Sequence, residues 1–157
     1  MSDICIDYSD RAALAYTLHR EGANCAQSVL CAFGDRITLP GETLMAVAGG
    51  FGGGVGGSHQ EICGAASGGV MVLSLLLPFA NSGDTAAKKR VYAVSKRFRQ
   101  LFSEALGHTH CGDLLEARPC ACEKTPAALR LGITAHCDVM IVTAVELVER
   151  LLKEESC

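Results

Sequence analysis

Apolar residues recur at helical spacing through most of the chain. Two segments carry the clearest stripes, Val91, Val94, Phe98, Leu101 and Ala105 in one and Cys137, Ile141, Ala144, Val148 and Leu151 in the other. Steps of three and four residues place such side chains on one face of a helix, and no segment alternates apolar and polar residues as a strand would. The pattern predicts an all-α fold: a compact bundle of five to six helices with a glycine-rich loop, in a single domain spanning residues 1–157.

Capping residues and glycines indicate where the helices begin and end. We predict helices over residues 10–21, 24–34 and 42–48, an apolar helix that opens at Cys63, and helices over residues 85–106 and 134–154. Shorter helical pieces are expected over residues 111–116 and 126–131.

The segment from residue 62 to 80 contains no charged residue and is nearly as long as a membrane span, which takes about 20 residues. It contains Gly64, Gly68 and Gly69, and Pro78 would end a helix inside it. Small residues also allow close contact between helices. We therefore predict a buried core helix and no membrane insertion.

The composition argues against several classes of function. The chain has 157 residues, a formal net charge of −3 and 5% aromatic residues, so we expect no nucleic-acid partner. The N-terminal sequence MSDICIDYSD lacks the basic and apolar regions of a secretion signal, and we expect a cytoplasmic protein. In a reducing compartment, nine cysteines are more typical of metal ligands or redox thiols than of a disulfide framework.

Four cysteines lie at or near predicted helix starts: Cys25, Cys63, Cys111 and Cys137. Unpaired backbone N–H groups and the helix dipole favour negative charge there, so we expect lowered pKa values for these thiols. Four thiolates together would suit an iron–sulfur cluster, and zinc would accept the same ligands. The alternative is that each is a small core residue in its own apolar pocket. A shared site requires the four sulfurs to converge.

A glycine-rich run, AGGFGGGVGG, precedes Cys63. Because glycine loses much conformational entropy on folding, so dense a run indicates close approach of the backbone to another element or to a ligand. We expect Gly52, Gly53, Gly54 and Gly64 to bring the backbone against a cofactor and to donate N–H groups to sulfur. Such donors raise the reduction potential of a cluster.

Several motifs together resemble the C_GCAxxG_C_C family of redox-active proteins. They are Asn24-Cys25-Ala26-Gln27, Phe51-Gly52-Gly53-Gly54, Cys63-Gly64-Ala65-Ala66-Ser67-Gly68, Cys111 before Leu114-Leu115, and Cys137 before a C-terminal amphipathic helix. The resemblance extends from about residue 16 to 152. It implies that Cys25, Cys63, Cys111 and Cys137 are the four characteristic cysteines of the family. Because the family also resembles a module of split-Soret cytochromes c, it implies an iron–sulfur centre on these residues.

Our leading hypothesis is a one-electron carrier or redox sensor with a [2Fe–2S] cluster and an unidentified protein redox partner. It assigns no catalytic residue. One alternative is a thiol–disulfide oxidoreductase that cycles pairs of the same cysteines, and another is a scaffold protein with a structural zinc site. The apolar, glycine-rich helix after Cys63 is compatible with a homodimer.

Other cysteines leave the ligand set open. Cys31 lies on the same predicted helix as Cys25, but six residues later, and points about 120° away. Cys120 and Cys122 form a C-A-C pair in a predicted loop and are the first substitutes as ligands. Three histidines near Cys63 or Cys111 are further candidates: His59, His108 and His110.

The predicted helix over residues 85–106 carries six basic residues: Lys88, Lys89, Arg90, Lys96, Arg97 and Arg99. Two interpretations are open. The charges form either a solvated helix face or a surface that docks an acidic redox partner.

Overall fold

The computed structural model describes residues 6–117 and 125–157 and confirms the all-α prediction. These residues form eight α-helices, more than the five to six expected, because the two short pieces after residue 110 are helices of their own. They are α1 Arg11–Arg20, α2 Cys25–Cys31, α3 Gly41–Ala48, α4 Gly64–Leu76, α5 Thr85–Leu106, α6 Cys111–Glu116, α7 Pro126–Leu131 and α8 His136–Glu155. Short 3-10 turns over Gly34–Arg36 and Gly49–Phe51 follow α2 and α3.

Helix α4 lies at the centre of the bundle, where α2, α5 and α8 pack against it. Its first six residues, 64–69, are all buried. The segment that resembles a membrane span in sequence is therefore a core helix, as predicted. Across the described part of the chain, none of the helices combines the length and the apolar character that a membrane span requires.

The two predicted apolar stripes face the core, except at Ala105 of α5. On α8, Ile141, Ala144, Val148 and Leu151 are buried, and Cys137 is half-buried. On α5, Ala105 is exposed, and the buried stripe continues instead through Phe102 and Leu106. Phe102 and Leu106 are one turn apart on the buried face of α5, whereas Ala105 lies off that face.

Glycines set the distance between α4 and the two helices beside it. A Cβ atom at Gly68 would lie 2.7 Å from the carbonyl oxygen of Ala26 on α2 and 3.0 Å from the Cβ of Val29. A Cβ atom at Gly69 would lie 2.4 Å from the ring of Phe98 on α5. Both distances are too short for a side chain, so these helices approach α4 more closely than any residue but glycine allows.

We predict that Gly68→Ala destabilises the protein by roughly 1–3 kcal/mol, because the added methyl group meets backbone that cannot move without shifting α2. Gly41→Ala is the matched control, since a Cβ at this first residue of α3 has no atom within 4 Å. It should leave stability unchanged or raise it by up to about 1 kcal/mol. Urea denaturation of both variants measures the difference, and equal stabilities would contradict close packing at Gly68.

Candidate cysteine centre

Each of the four predicted cysteines stands at a helix start. Cys25 and Cys111 are the first residues of α2 and α6, Cys63 is the N-cap of α4, and Cys137 is the second residue of α8. All four line one cavity of about 140 Å³, which we call the cysteine cavity. They do not sit in separate apolar pockets. The folded chain brings together four thiols that are far apart in sequence.

The rest of the cavity wall is mostly apolar. Its other lining residues are Gly53, His59, Gly64, Leu114, Leu115, His136 and Met140. Cys63 is 5% exposed, whereas the other three cysteines are half-buried. The cavity is therefore shielded from solvent on its inner side, around Cys63, and opens toward solvent near the exposed residue His59.

A capping box fixes Cys25. The Oδ1 atom of Asn24 accepts from the N–H of Gln27, and the Oε1 atom of Gln27 accepts from the N–H of Asn24, both at 2.9 Å. The two side-chain amides also donate to the carbonyl oxygens of Gly49 and Met45 at 3.0 Å. The reciprocal cap satisfies the free N–H groups of the first turn and ties α2 to α3. The motif Asn24-Cys25-Ala26-Gln27 is thus the local device that holds the Cys25 thiol in place.

Backbone hydrogen bonds hold Cys63 and Cys111 beside each other. The N–H of Cys63 donates to the carbonyl oxygen of Thr109 at 2.8 Å, and the N–H of Cys111 donates to that of Glu61 at 2.9 Å. Between them, Ile62 and His110 form an isolated antiparallel bridge. This short clamp fixes the starts of α4 and α6 relative to each other without any side chain.

Glycines of the predicted motif make room for the cysteines. A Cβ atom at Gly64 would lie 3.0 Å from the Cβ of Cys25, and one at Gly54 would lie 2.7 Å from the Cβ of Cys111. Gly54 also has a φ of +72°, a backbone conformation that residues with a side chain rarely adopt. Gly52 is packed against the side chain of Asn24. Of the four glycines expected at a cofactor, Gly53 and Gly64 line the cavity, while Gly52 and Gly54 support its walls.

The thiols influence one another's ionisation. A hydrogen bond with Cys137 is the main cause of the strongly raised pKa of Cys25, followed by burial and by the charges of Cys137, Cys63 and Cys111. Burial raises the pKa of Cys63 from its ordinary value of 9.0 to about 11, although the N–H groups of Ala65 and Ala66 donate to its sulfur and act in the opposite direction. Burial also raises the pKa of Cys111, and the nearby Cys137 adds to this.

The expected lowering of the thiol pKa values is therefore wrong for Cys25, Cys63 and Cys111. Loss of water disfavours a thiolate more than the N–H groups of a helix start favour it. Helices α2 and α6 are also short, with 7 and 6 residues, so their dipoles contribute little. The thiols of Cys25, Cys63 and Cys111 therefore ionise less readily than a free cysteine, and a positive charge placed beside them would favour their thiolate forms.

The remaining cysteines lie away from the cavity or outside the described residues. Cys31 is half-buried in a separate groove that Tyr8, Leu39 and Leu44 also line, and Cys157 is exposed at the end of the chain. Cys5, Cys120 and Cys122 lie outside the described residues. Within residues 6–117 and 125–157, no group of three or more Cys, His, Asp or Glu side chains is arranged to hold a metal ion.

The histidines divide between the cavity and the surface. His59 and His136 both line the cavity; His59 is exposed, whereas His136 is only 3% exposed. His108 and His110 are exposed, and His110 pairs through its backbone with Ile62.

Sequence reasoning missed three features of this site. His136 is absent from the predicted site residues, although its position directly before Cys137 is a usable signal. The capping role of Gln27 could also have been predicted, because Asn-x-x-Gln matches a capping box. The clamp at Ile62 and His110 had no signal, because neither residue lies in a strand-like segment.

The raised pKa of Cys63 predicts a pH dependence of stability. Its thiol keeps its proton up to about pH 11 in the folded chain but ionises above pH 9.0 when unfolded. Because the unfolded state then binds fewer protons, the free energy of unfolding falls as the pH rises from 9.0 to about 11. For this one group the loss is about 2–3 kcal/mol.

Urea denaturation of the reduced protein across this pH range, in the presence of a chelator, measures the effect. Cys63→Ala should show a shallower fall than the original chain. Identical slopes for the two proteins would contradict the assignment to Cys63.

Comparison with known proteins agrees with this arrangement. A model of the family described as "Putative redox-active protein (C_GCAxxG_C_C)" matches residues 23–151. The matched range contains the glycine-rich loop and all four cysteines of the cavity. No curated protein and no solved structure matches the chain. Because the family match covers most of its length, the chain belongs to the C_GCAxxG_C_C family of redox-active proteins.

Proposed function

We propose that the protein binds an iron–sulfur cluster on Cys25, Cys63, Cys111 and Cys137 and serves as a one-electron carrier or redox sensor. A [2Fe–2S] cluster is the simplest form. The observation that carries the proposal is the cysteine cavity itself, in which thiols from four separate helix starts surround one space.

The donor set and the space between the donors support a cluster. Iron–sulfur clusters are held by cysteine thiolates, typically four of them. The four thiols surround a volume of about 140 Å³, which suits a group of several atoms. A single zinc ion would require four sulfurs at about 2.3 Å from one point. The cavity thus has room for a cluster, which is larger than the single zinc ion of the alternative.

The charge of the site supports the same conclusion. The pKa of Cys25 is raised mainly by its hydrogen bond with Cys137 and then by burial, and the pKa of Cys63 is raised mainly by burial. Repulsion between neighbouring thiolates acts in the same direction at both residues. Iron in a cluster supplies the positive charge that makes four adjacent thiolates stable, and its redox chemistry is the transfer of single electrons. A site that is costly to ionise when empty is thus well matched to a cationic occupant.

The chain's own residues would tune such a centre. The N–H groups of Ala65 and Ala66 donate to the Cys63 sulfur, which stabilises negative charge there and raises the reduction potential. Leu114 and Met140 are buried in the cavity wall and exclude water. Because Gly64 has no side chain, the start of α4 can lie directly against Cys25.

A second candidate function rests on a different observation. A hydrogen bond with Cys137 is the main cause of the raised pKa of Cys25, so the two thiols lie beside each other in the cavity. Such a pair could act as a dithiol: it would lose two protons and two electrons to a partner disulfide and form one S–S bond between Cys25 and Cys137.

Metal analysis of protein purified without oxygen tests the proposal. We expect visible absorbance, with iron and acid-labile sulfide in stoichiometric amounts. Cys25→Ser, Cys63→Ser, Cys111→Ser and Cys137→Ser should each lose most of the iron and the absorbance. Cys31→Ser is the matched control, because Cys31 lies on the same helix as Cys25 but lines another groove.

Three results would contradict the cluster. Colourless protein with tightly bound zinc would favour the scaffold alternative, and colourless protein with a titratable Cys25–Cys137 disulfide would favour the dithiol. Equal iron loss in Cys31→Ser would show that the effect is not specific to the cavity.

A further inference from the structure

We propose that a basic groove beside the cysteine cavity is the docking surface for an acidic protein redox partner. This proposal rests on the proposed redox function and adds where the partner binds. The groove has a volume of about 280 Å³, and its lining residues are Lys96, Arg99, Gln100, Ser103 and Thr109. Each of these side chains carries a hydrogen-bond donor, and none carries a carboxylate, so the groove matches the carboxylates of a partner.

Helix α5 concentrates positive charge on a chain that is negative overall. It carries six exposed basic residues and one acidic residue, Glu104, whereas the whole chain has a net charge of −3. Such an uneven distribution produces a local positive potential that steers an oppositely charged partner to one place on the surface. The steering is strongest where the basic side chains are not already neutralised.

The cations in the groove are available for such a contact. Farther along α5, Arg90 pairs with Glu155 at 3.0 Å, and the ammonium group of Lys88 lies 5.7 Å from the ring centre of Tyr92. By contrast, Lys96 and Arg99 form no ion pair with any residue in the described part of the chain. Their charges are exposed and face solvent.

The groove is also directly connected to the candidate redox centre. Thr109 lines the groove, and its carbonyl oxygen accepts the N–H of Cys63 at 2.8 Å. Cys111 follows two residues later in the same clamp. A partner seated in the groove would therefore lie next to the backbone that holds two of the four thiols, which gives an electron a short path between the partner and the centre.

The charge pattern favours a protein over other anionic partners. Nucleic acid and anionic membranes are extended polyanions, and a chain with a net charge of −3 repels them except at its basic face. A protein with one acidic patch matches a groove of this size and can turn its remaining surface away. The partner class that fits is thus an electron carrier with clustered Asp and Glu residues.

Two charge-reversal variants test the location. Lys96→Glu with Arg99→Glu changes the basic groove. Arg36→Glu with Lys153→Glu is the matched control: it reverses the same number of charges in a different groove, and Lys153 lies about 24 Å along α8 from Cys137. Thermal unfolding first confirms that both double variants fold.

The probe is a flavodoxin, an acidic one-electron carrier, and its affinity for each protein is measured at low and at high ionic strength. We expect the groove variant to bind at least about tenfold more weakly at low ionic strength and the control less than about threefold more weakly. The difference should disappear at high ionic strength, because salt screens charges farther apart than about 10 Å at 0.1 M.

Equal weakening in the two variants would overturn the proposal, since only net charge would then matter. Absence of flavodoxin binding together with groove-dependent binding to duplex DNA or to anionic vesicles would overturn it as well. The affinity measurement does not require a cluster. If the protein holds no iron but binds flavodoxin through the groove, the docking surface is supported and the proposed cluster is contradicted. If it holds iron but binds flavodoxin at another surface, the cluster is supported and the docking surface is contradicted.

Discussion

The close approach of α2 and α4 is the constraint on which the rest of the structure depends. It is set by two glycines of α4: a side chain at Gly64 would collide with Cys25, and one at Gly68 would collide with the carbonyl oxygen of Ala26. Because this contact is made by backbone, it leaves little freedom for the two helix starts. The thiols of Cys25 and Cys63 are consequently neighbours whether or not anything binds between them.

The other two cysteines are brought to this pair by different means. Cys111 is held by the clamp between Ile62 and His110. Cys137 lies at the start of α8, which is tied to α1 by the Nδ1 atom of His19 and the Oδ1 atom of Asp138 at 2.7 Å. The result is a group of four thiols whose positions are fixed by the fold, and in which Cys25, Cys63 and Cys111 have raised pKa values. Because the thiols are already assembled, the cluster we propose would bind with little loss of conformational entropy.

The sequence was sufficient to predict the helices and to single out the four cysteines that the fold brings to one cavity. Periodic apolar residues identified α5 and α8, and capping residues such as Asn24 and Asp84 marked helix starts, because both signals are local. The pKa values of Cys25 and Cys63 could not be predicted in this way. They depend on burial and on neighbouring thiols that come from distant parts of the chain. The clamp between the segments of Cys63 and Cys111 could not be predicted either, because it also joins distant parts of the chain.

We propose that the four thiols of the cysteine cavity share one iron–sulfur cluster. A crystal structure of protein prepared without oxygen, with anomalous diffraction recorded at the iron edge, tests this most directly. We expect iron within the cavity, bonded to the sulfurs of Cys25, Cys63, Cys111 and Cys137. A cavity without iron, in which Cys25 and Cys137 are joined by an S–S bond of about 2.05 Å, would contradict it.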